Sequence, residues 1–120
     1  MNNICVHEDK VEKKELPGRS VKVLTDLLLA KNITFGICEL PPHSAMDPHR
    51  HVQEELLFIL QGYGFVNVAG KKESITPGTL VHFPSGEVHF TVNESDQVMK
   101  FTFCFSPQVV VGSYDSKQAS

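Results

Sequence analysis

The chain has 120 residues, of which 41% are hydrophobic and 21% are charged, and its formal net charge is −3. This size and balance predict one ordered domain with a single core and argue against disorder. No basic patch typical of nucleic-acid binding stands out, and no apolar run approaches the roughly 20 residues that cross a bilayer. The first ten residues lack the apolar stretch of a signal peptide, so we expect a cytoplasmic protein with no nucleic-acid and no membrane partner.

The cysteines are Cys5, Cys38 and Cys104. Their odd number and the lack of Cys-x-x-Cys spacing do not predict a disulfide framework. We expect them to act mainly as small buried hydrophobic residues in a reducing compartment.

The polar and charged residues 1–16 predict an N-terminal arm or an edge strand, and residues 113–120 predict a C-terminal tail. Between them, residues 17–112 have the pattern of short strands separated by Gly, Pro and Asn. The predicted strands comprise residues 21–29, 33–40, 55–60, 65–68, 72–75, 79–83, 88–92 and 98–105. Residues 25–30 could alternatively form a helical turn. Turn residues about every 8–12 positions predict an all-β sandwich or barrel.

The strand predicted at 55–60 is apolar on both of its faces. Leu57 and Ile59 share a face with Glu55, and the three residues that alternate with them are apolar as well. One face can line a barrel, but the other must also be covered. Because a chain of 120 residues has little material for an outer layer, we predict a homo-oligomer, most simply a two-fold dimer.

Two histidines two positions apart are the central feature of the sequence. On a strand, His49 and His51 point the same way with Cα atoms roughly 7 Å apart, close enough for two nitrogens to meet one metal ion. On a straight strand, Glu55 would lie about 13 Å beyond His51. It can share the ion only if the chain turns at residues 52–54. His89, which follows a later turn, is a fourth candidate ligand.

These residues resemble the two sequence motifs of the cupin superfamily. The first motif, Gly-x5-His-x-His-x3-Glu-x6-Gly, has His43 in place of its opening Gly and is otherwise matched by His49, His51, Glu55 and Gly62. The second motif, Gly-x5-Pro-x-Gly-x2-His-x3-Asn, is matched at every fixed position, by Gly78, Pro84, Gly86, His89 and Asn93. Nine of the ten fixed positions match in order, and the resemblance covers residues 33–105. The chain is therefore identified as a small single-domain cupin.

The resemblance implies a double-stranded β-helix, which is a jelly-roll barrel with the metal site inside it. Carried over residue by residue, it implies that His49, His51, Glu55 and His89 are the ligands and that Glu54 points away. Three neutral nitrogens and one carboxylate suit one divalent transition metal ion, which could be Fe, Mn, Ni, Cu or Zn. Two or three coordination positions would stay open, as is typical of catalytic sites.

Further pocket residues are expected on the strand 98–105. Its alternation allows two orientations, with either Phe101, Phe103 and Phe105 or Thr102 and Cys104 facing the interior. Cupins often line their pocket from this last strand, so Phe103 and Cys104 are both pocket candidates.

Other side chains could act on a substrate. Tyr63 and Tyr114 could serve as acids, although Tyr63 sits between two glycines and is expected to be exposed. Arg50 and Lys100 could recognise a sugar acid or a phosphate if they face the pocket.

We expect a metalloenzyme that acts on a small oxygen-rich molecule, with dioxygenase chemistry as the first interpretation and sugar isomerase or lyase chemistry as the second. A non-catalytic binder or sensor of a small-molecule ligand is a further alternative, and a structural protein with a vestigial site is another. Motifs for nucleotide binding and for Ser-His-Asp or Cys-His catalysis are absent from the sequence.

Overall fold

The computed structural model describes residues 4–115. In this range the chain forms ten β-strands and two short 3₁₀ helices, Glu8–Lys10 and Leu24–Leu27, and it contains no α-helix. The strands are Lys14–Leu16 (β1), Arg19–Val23 (β2), Thr34–Leu40 (β3), Ser44–Ala45 (β4), Glu54–Gln61 (β5), Gly64–Val68 (β6), Lys71–Ile75 (β7), Leu80–Phe83 (β8), His89–Asn93 (β9) and Met99–Ser106 (β10). Among the described residues, no helix is long and apolar enough to cross a membrane.

Two antiparallel sheets form the domain. The larger has six strands in the order β1-β2-β3-β10-β5-β8, and the smaller has four in the order β4-β9-β6-β7. Strands β5 and β10 each bury one face, as the alternation of buried and accessible residues along them shows. The jelly-roll cupin barrel predicted from the sequence is therefore confirmed.

Strand β10 lies at the centre of the six-stranded sheet. The burial of its side chains shows which face of the strand points into the barrel. Met99, Phe101, Phe103 and Phe105 are at most 3% exposed, and all four belong to the hydrophobic core. Thr102 and the other residues that alternate with them face outward and are only partly buried. The interior is therefore packed by the phenylalanines, because large rings gain more free energy than small polar side chains from leaving water.

The strand predicted at 21–29 is shorter than expected. Strand β2 ends at Val23, and the 3₁₀ helix Leu24–Leu27 follows, so the helical-turn alternative is the correct one for this segment. Thr25 stabilises the turn, because its hydroxyl accepts a hydrogen bond from Phe35 N at 3.1 Å. In the N-terminal segment, β1 lies at the edge of the six-stranded sheet.

Two residues of the sequence motifs hold the barrel together. The Asn93 amide is buried and donates hydrogen bonds to the carbonyls of Leu40, Pro41 and Gln97, at 3.3, 3.0 and 2.8 Å. It thereby ties β9 to the end of β3 and to the loop before β10. Gly62 has a φ of +86°, and a Cβ placed there would lie 2.9 Å from the Cα of Met99. Only glycine fits this turn without strain.

Candidate metal centre

The structure brings His49 and His89 together through the backbone. His49 N donates to His89 O at 3.0 Å, and His89 N donates to His49 O at 2.8 Å, so the two residues form an isolated antiparallel bridge. His51 lies two positions further along the same segment. All three histidines are buried, with 5% or less of each residue exposed.

Each of the three imidazoles is oriented by a backbone carbonyl two residues away. The Nδ1 atoms of His49, His51 and His89 lie 2.9, 2.9 and 3.0 Å from the carbonyl oxygens of residues 47, 53 and 87. A carbonyl oxygen only accepts, so each Nδ1 carries the proton. The Nε2 atom of each neutral ring then keeps a free lone pair, as a metal ligand requires.

The three potential ligand atoms converge, lying within 4.8 Å of one another. The Nε2 atom of His89 is fully buried and has no hydrogen-bond partner among the described residues. A buried polar nitrogen without a partner is rare and calls for a physical reason. A cation at the centre of the cluster would bind this nitrogen and so explain its burial. Three imidazole nitrogens are a donor set that divalent transition metals prefer. The residues therefore fit a metal ion.

Glu55 reaches the cluster from the other sheet. The chain turns after His51 and enters β5 at Glu54. This turn was expected, because on a straight strand Glu55 would lie too far from His51 to share a metal ion. Glu55 Oε1 lies 3.2 Å from Nε2 of His51 and 3.5 Å from Nε2 of His89, so this oxygen faces the potential ligand atoms of both rings. Glu54 points to the outer surface, where its carboxylate lies 2.6 Å from Nε2 of His82.

Burial and the neighbouring side chains together set the charges of the cluster. The pKa of His49 is lowered to about 4, mainly because burial opposes the charged ring and also because His89 lies close by. Burial alone would raise the pKa of Glu55, but the imidazoles of His51 and His89 outweigh it and hold that pKa below its usual value. At neutral pH the cluster therefore presents a neutral His49 and an ionised Glu55 carboxylate.

Aromatic rings enclose the histidines. Phe83 stacks on His89 with ring centroids 3.9 Å apart, and Phe105 meets His51 edge-on at 5.0 Å. The ring of Tyr114 stacks on His49 at 5.2 Å. Burial next to Glu55 raises the pKa of Tyr114, so its phenol stays protonated.

The remaining candidates from the sequence are separated by the alternation of β10. Phe103 lines a small cavity next to His49 and Glu55, whereas Cys104 lies on the outer face of the strand. Tyr63 is 53% exposed. Lys100 also lies on the outer face of β10, where it is 3.7 Å from Glu8, and Arg50 is exposed.

The sequence interpretation missed Arg19 as a pocket residue. Arg19 on β2 is 6% exposed and lines the same cavity as His49, and its guanidinium pairs with Asp115 at 2.8 and 3.0 Å. The alternation of Arg19 with Val21 and Val23 was a usable signal, because residues that share a strand face with two buried valines must also point inward.

Comparison with known proteins gives the family. The model of the cupin domain family matches residues 36–105, which is more than half of the chain. The chain belongs to the cupin domain family. Both halves of the candidate metal centre, His49 to Glu55 and His89, lie within the matched range of this cupin.

One curated protein matches the sequence over part of its length. The dimethylsulfoniopropionate lyase DddW of Ruegeria pomeroyi is 29% identical over 76 residues, which are 63% of this chain and 49% of that protein. This cupin thus spans about half the length of that curated relative.

Solved structures share the fold at low sequence identity. An RmlC-like cupin from Shewanella frigidimarina has a TM-score of 0.78 at 17% identity, covering 89% of this chain and 93% of its own. A predicted oxalate decarboxylase from Thermotoga maritima has a TM-score of 0.74 at 23% identity, covering 88% of this chain and 100% of its own. A sugar phosphate isomerase from Silicibacter pomeroyi has a TM-score of 0.76 at 20% identity, covering 87% and 76%.

Proposed function

We propose that this cupin binds one divalent transition metal ion through His49, His51 and His89, with Glu55 as a fourth ligand. The observation that carries the proposal is the convergence of three buried imidazoles whose Nδ1 atoms are all tied to carbonyls, together with the unpartnered Nε2 of His89. The charge of Glu55 supports the fourth position, because an ionised buried carboxylate needs a cation or several donors nearby.

We further propose that the bound ion makes this cupin an enzyme that acts on a small oxygen-rich molecule. When bound, a divalent transition metal ion such as Fe, Mn, Ni, Cu or Zn supplies a Lewis acid that polarises an oxygen of a ligand. The rings of Phe83, Phe105 and Tyr114 exclude water around the cluster, which strengthens electrostatic interactions inside it. Glu55 is placed to accept a proton at Oε1, since the same oxygen faces two imidazoles.

Two reaction classes are consistent with this site. Oxygen-dependent cleavage by an Fe(II) or Mn(II) dioxygenase is the chemistry first expected from the sequence. Lyase chemistry, in which a C–H proton is removed and a leaving group departs without oxygen, is favoured by the similarity to the lyase DddW. Sugar isomerisation also depends on proton transfer next to a polarised oxygen, so it belongs with the second class.

Metal analysis of the purified protein tests the site. We expect about one transition metal ion per chain in the wild type, and a loss of most of it in His49→Ala and His89→Ala. His82→Ala is the matched control, because His82 lies exposed on the outer surface, where its imidazole contacts Glu54. Equal metal content in all four proteins after loading with Fe(II), Mn(II) or Zn(II) would rule out the site.

Oxygen uptake separates the two reaction classes. The Fe(II)-loaded protein is screened with diketones, phenols, thiols and small carboxylates in an oxygen electrode, and the same mixtures are analysed for products without oxygen. Substrate-dependent oxygen consumption supports the dioxygenase, whereas product formation under anaerobic conditions supports a lyase or isomerase. If neither occurs with any tested class, the protein is better described as a metal-dependent binder.

We also propose that two copies of the chain form a dimer through an outer apolar face. We define this face by Phe35, Leu56, Phe58 and Leu80, which are between 36% and 63% exposed. The strand register makes them neighbours. Phe35 and Leu56 flank residue 104 on either side, and Leu80 lies directly opposite Phe58. Exposed apolar side chains on three strands of one sheet, β3, β5 and β8, are typical of an interface, and a two-fold axis lets one face cover itself.

Light scattering with size-exclusion chromatography measures the oligomeric state. We expect twice the mass of one chain for the wild type and a single-chain mass for Phe58→Glu, because a charge at the centre of an apolar contact is costly to bury. Leu29→Glu is the control, since Leu29 is 66% exposed in the loop before β3 and is not one of the four residues that define this face. A monomeric wild type would reject the dimer without affecting the metal site.

A further inference from the structure

The chain closes the metal pocket with its own C-terminal segment. We call residues 107–115, which follow β10, the C-terminal strap. It is attached to the barrel at Val109, whose N and O both hydrogen-bond to the hydroxyl of Thr34, at 3.0 and 3.2 Å. Tyr114, near the end of the strap, is 5% exposed and stacks on His49. The strap therefore covers the imidazole that faces the metal pocket.

The pocket under the strap is too small for a substrate. Its volume is about 20 Å³, and its walls include His49, Glu55, Arg19 and the strap residues Val111 and Tyr114. A volume of this size holds about one water molecule. A small organic molecule does not fit in this pocket while Tyr114 keeps its position against His49.

Arg19 is a buried positive charge of this pocket. Its side chain is 3% exposed, and Nη1 donates to the carbonyl of Pro17 at 3.0 Å. Nη1 and Nη2 also donate to the two carboxylate oxygens of Asp115, at 3.0 and 2.8 Å. A guanidinium fork that faces a carboxylate in this bidentate manner is the preferred geometry for recognising a carboxylate group.

The two contacts of the strap end have a common consequence. Asp115 occupies the carboxylate-binding fork of Arg19, and the adjacent Tyr114 occupies the space against His49. The side chain of Asp115 is 20% exposed, so this carboxylate is in contact with solvent. Release of Tyr114 and Asp115 would free both the guanidinium of Arg19 and the ring face of His49.

We infer that Arg19 binds the carboxylate of a small carboxylic-acid substrate, and that Asp115 holds this position while the strap is closed. The inference deepens the proposed function and rests on it for the role of the bound carboxylate as a substrate. A free carboxylate competes with Asp115 for the same two N–H groups, so binding and strap opening are coupled. The substrate class is therefore a small organic acid that presents a second oxygen to the metal cluster.

The test uses propionate as the probe and propionamide as its uncharged control. Measurements are made on chelator-treated protein, so that coordination of the carboxylate to a metal cannot contribute. The chain has two tyrosines and no tryptophan, so the exposed-site variant Tyr63→Phe leaves Tyr114 as the sole fluorophore. Quenching of its fluorescence by acrylamide reports whether the strap is closed, and calorimetric titration reports binding.

In the Tyr63→Phe protein, we expect propionate to increase the quenching of Tyr114 and propionamide to leave it unchanged. Asp115→Asn removes the internal competitor, so propionate should bind about tenfold more tightly than to the protein that keeps Asp115. Arg19→Gln should abolish this binding. Arg19→Lys, which keeps the charge but loses the fork, should weaken it at least several-fold.

Three results would overturn the inference. The first is propionate binding of equal strength in the wild type and in both Arg19 variants. The second is no gain in propionate affinity in an Asp115→Asn protein whose circular dichroism is native. The third is propionamide binding as well as propionate does. Because the metal is removed, failure of the metal proposal would leave these titrations unchanged, and failure here would leave the metal content of the histidine variants unchanged.

Discussion

The imidazole of His89 lies flat against the ring of Phe83, with the ring planes 12° from parallel. Phe83 ends β8 and His89 begins β9, so the two rings meet across the connection between these strands. The carbonyl of Glu87 fixes the same imidazole through Nδ1. His89 is thus oriented by a stacking contact on its face and by a hydrogen bond at its edge, which leaves Nε2 aimed at the cluster.

Replacing Phe83 by leucine should disturb this orientation. Phe83 is 2% exposed, and loss of part of a buried ring costs about 1–3 kcal/mol of unfolding free energy. Because groups that orient a ligand typically change metal affinity by about 10- to 100-fold, we expect Phe83→Leu to bind metal at least tenfold more weakly. Competition with a fluorescent chelator measures the affinity.

Phe101→Leu is the matched control for this prediction. Phe101 is 3% exposed and lines the same cavity, but it is packed among core residues and not stacked on His89. We expect a comparable loss of stability with little change in metal affinity. Equal weakening of metal binding by both substitutions would show that general packing, and not the stacked ring, positions His89.

Adjacent glutamates on β5 test the role of the buried carboxylate. Glu55→Gln keeps the shape of the side chain but removes the negative charge next to His51 and His89, so metal affinity should fall by at least tenfold. Glu54→Gln changes the same residue type one position away on the outer surface and should bind metal like the wild type. Titration of the metal-free proteins with Zn(II) compares the two, and equal affinities would remove Glu55 from the ligand set.

The stability of the metal-free protein should depend on pH through His49. Its folded pKa of about 4 lies below the unfolded value of 6.5, because burial opposes the charged ring. Between these pH values the unfolded chain binds more protons, so stability falls as the pH falls. From pH 7.5 to pH 5, the loss is about 2 kcal/mol in urea unfolding. Glu55, whose pKa is also lowered, contributes only in more acidic solution.

His49→Gln removes the titrating ring and should flatten this pH dependence. His82→Gln, a substitution of an exposed imidazole, should retain the wild-type slope. A steep slope that persists in His49→Gln would assign the acid sensitivity to other groups.

The convergence of the histidines was partly predictable, because part of its geometry is set by local rules. The spacing of His49 and His51 places them on one side of the chain, and the reach of an extended strand requires the turn that the structure has before Glu55. His89 was identified by the resemblance to the second cupin motif, since spacing alone does not show which distant strand pairs with residue 49.

The strap could not be predicted in the same way. Asp115 and Arg19 are 96 positions apart, and no local pattern links a polar C-terminal segment to a particular inward-facing arginine. Residues 113–120 have the composition of a tail, yet Tyr114 is buried because the open end of the barrel offers an apolar site next to His49. Residues 116–120 of the expected tail lie outside the described residues. The sequence also left open which face of β10 points into the barrel, because both faces carry residues that the interior could accept.

His43 is the one departure from the cupin motifs, which have glycine at this position. The structure shows why glycine suits it. The backbone at His43 has a φ of +51°, a conformation that costs most L-residues about 1–2 kcal/mol and glycine almost nothing. The ring pairs with Asp96, but both side chains are more than 60% exposed, and ion pairs of this kind contribute little. We therefore expect His43→Gly to stabilise the fold by up to about 1 kcal/mol, because relief of the backbone outweighs the lost pair and the greater freedom of an unfolded glycine.

His43→Ala separates the two contributions, because it removes the ring but keeps a Cβ at the same φ. It should be neutral or slightly destabilising in urea unfolding, so the two variants should differ by about 1 kcal/mol in favour of glycine. If alanine and glycine proved equally stable, the positive φ would carry no strain. If both were less stable than the wild type by more than about 1 kcal/mol, the pairing of His43 with Asp96 would be the reason for histidine at this position.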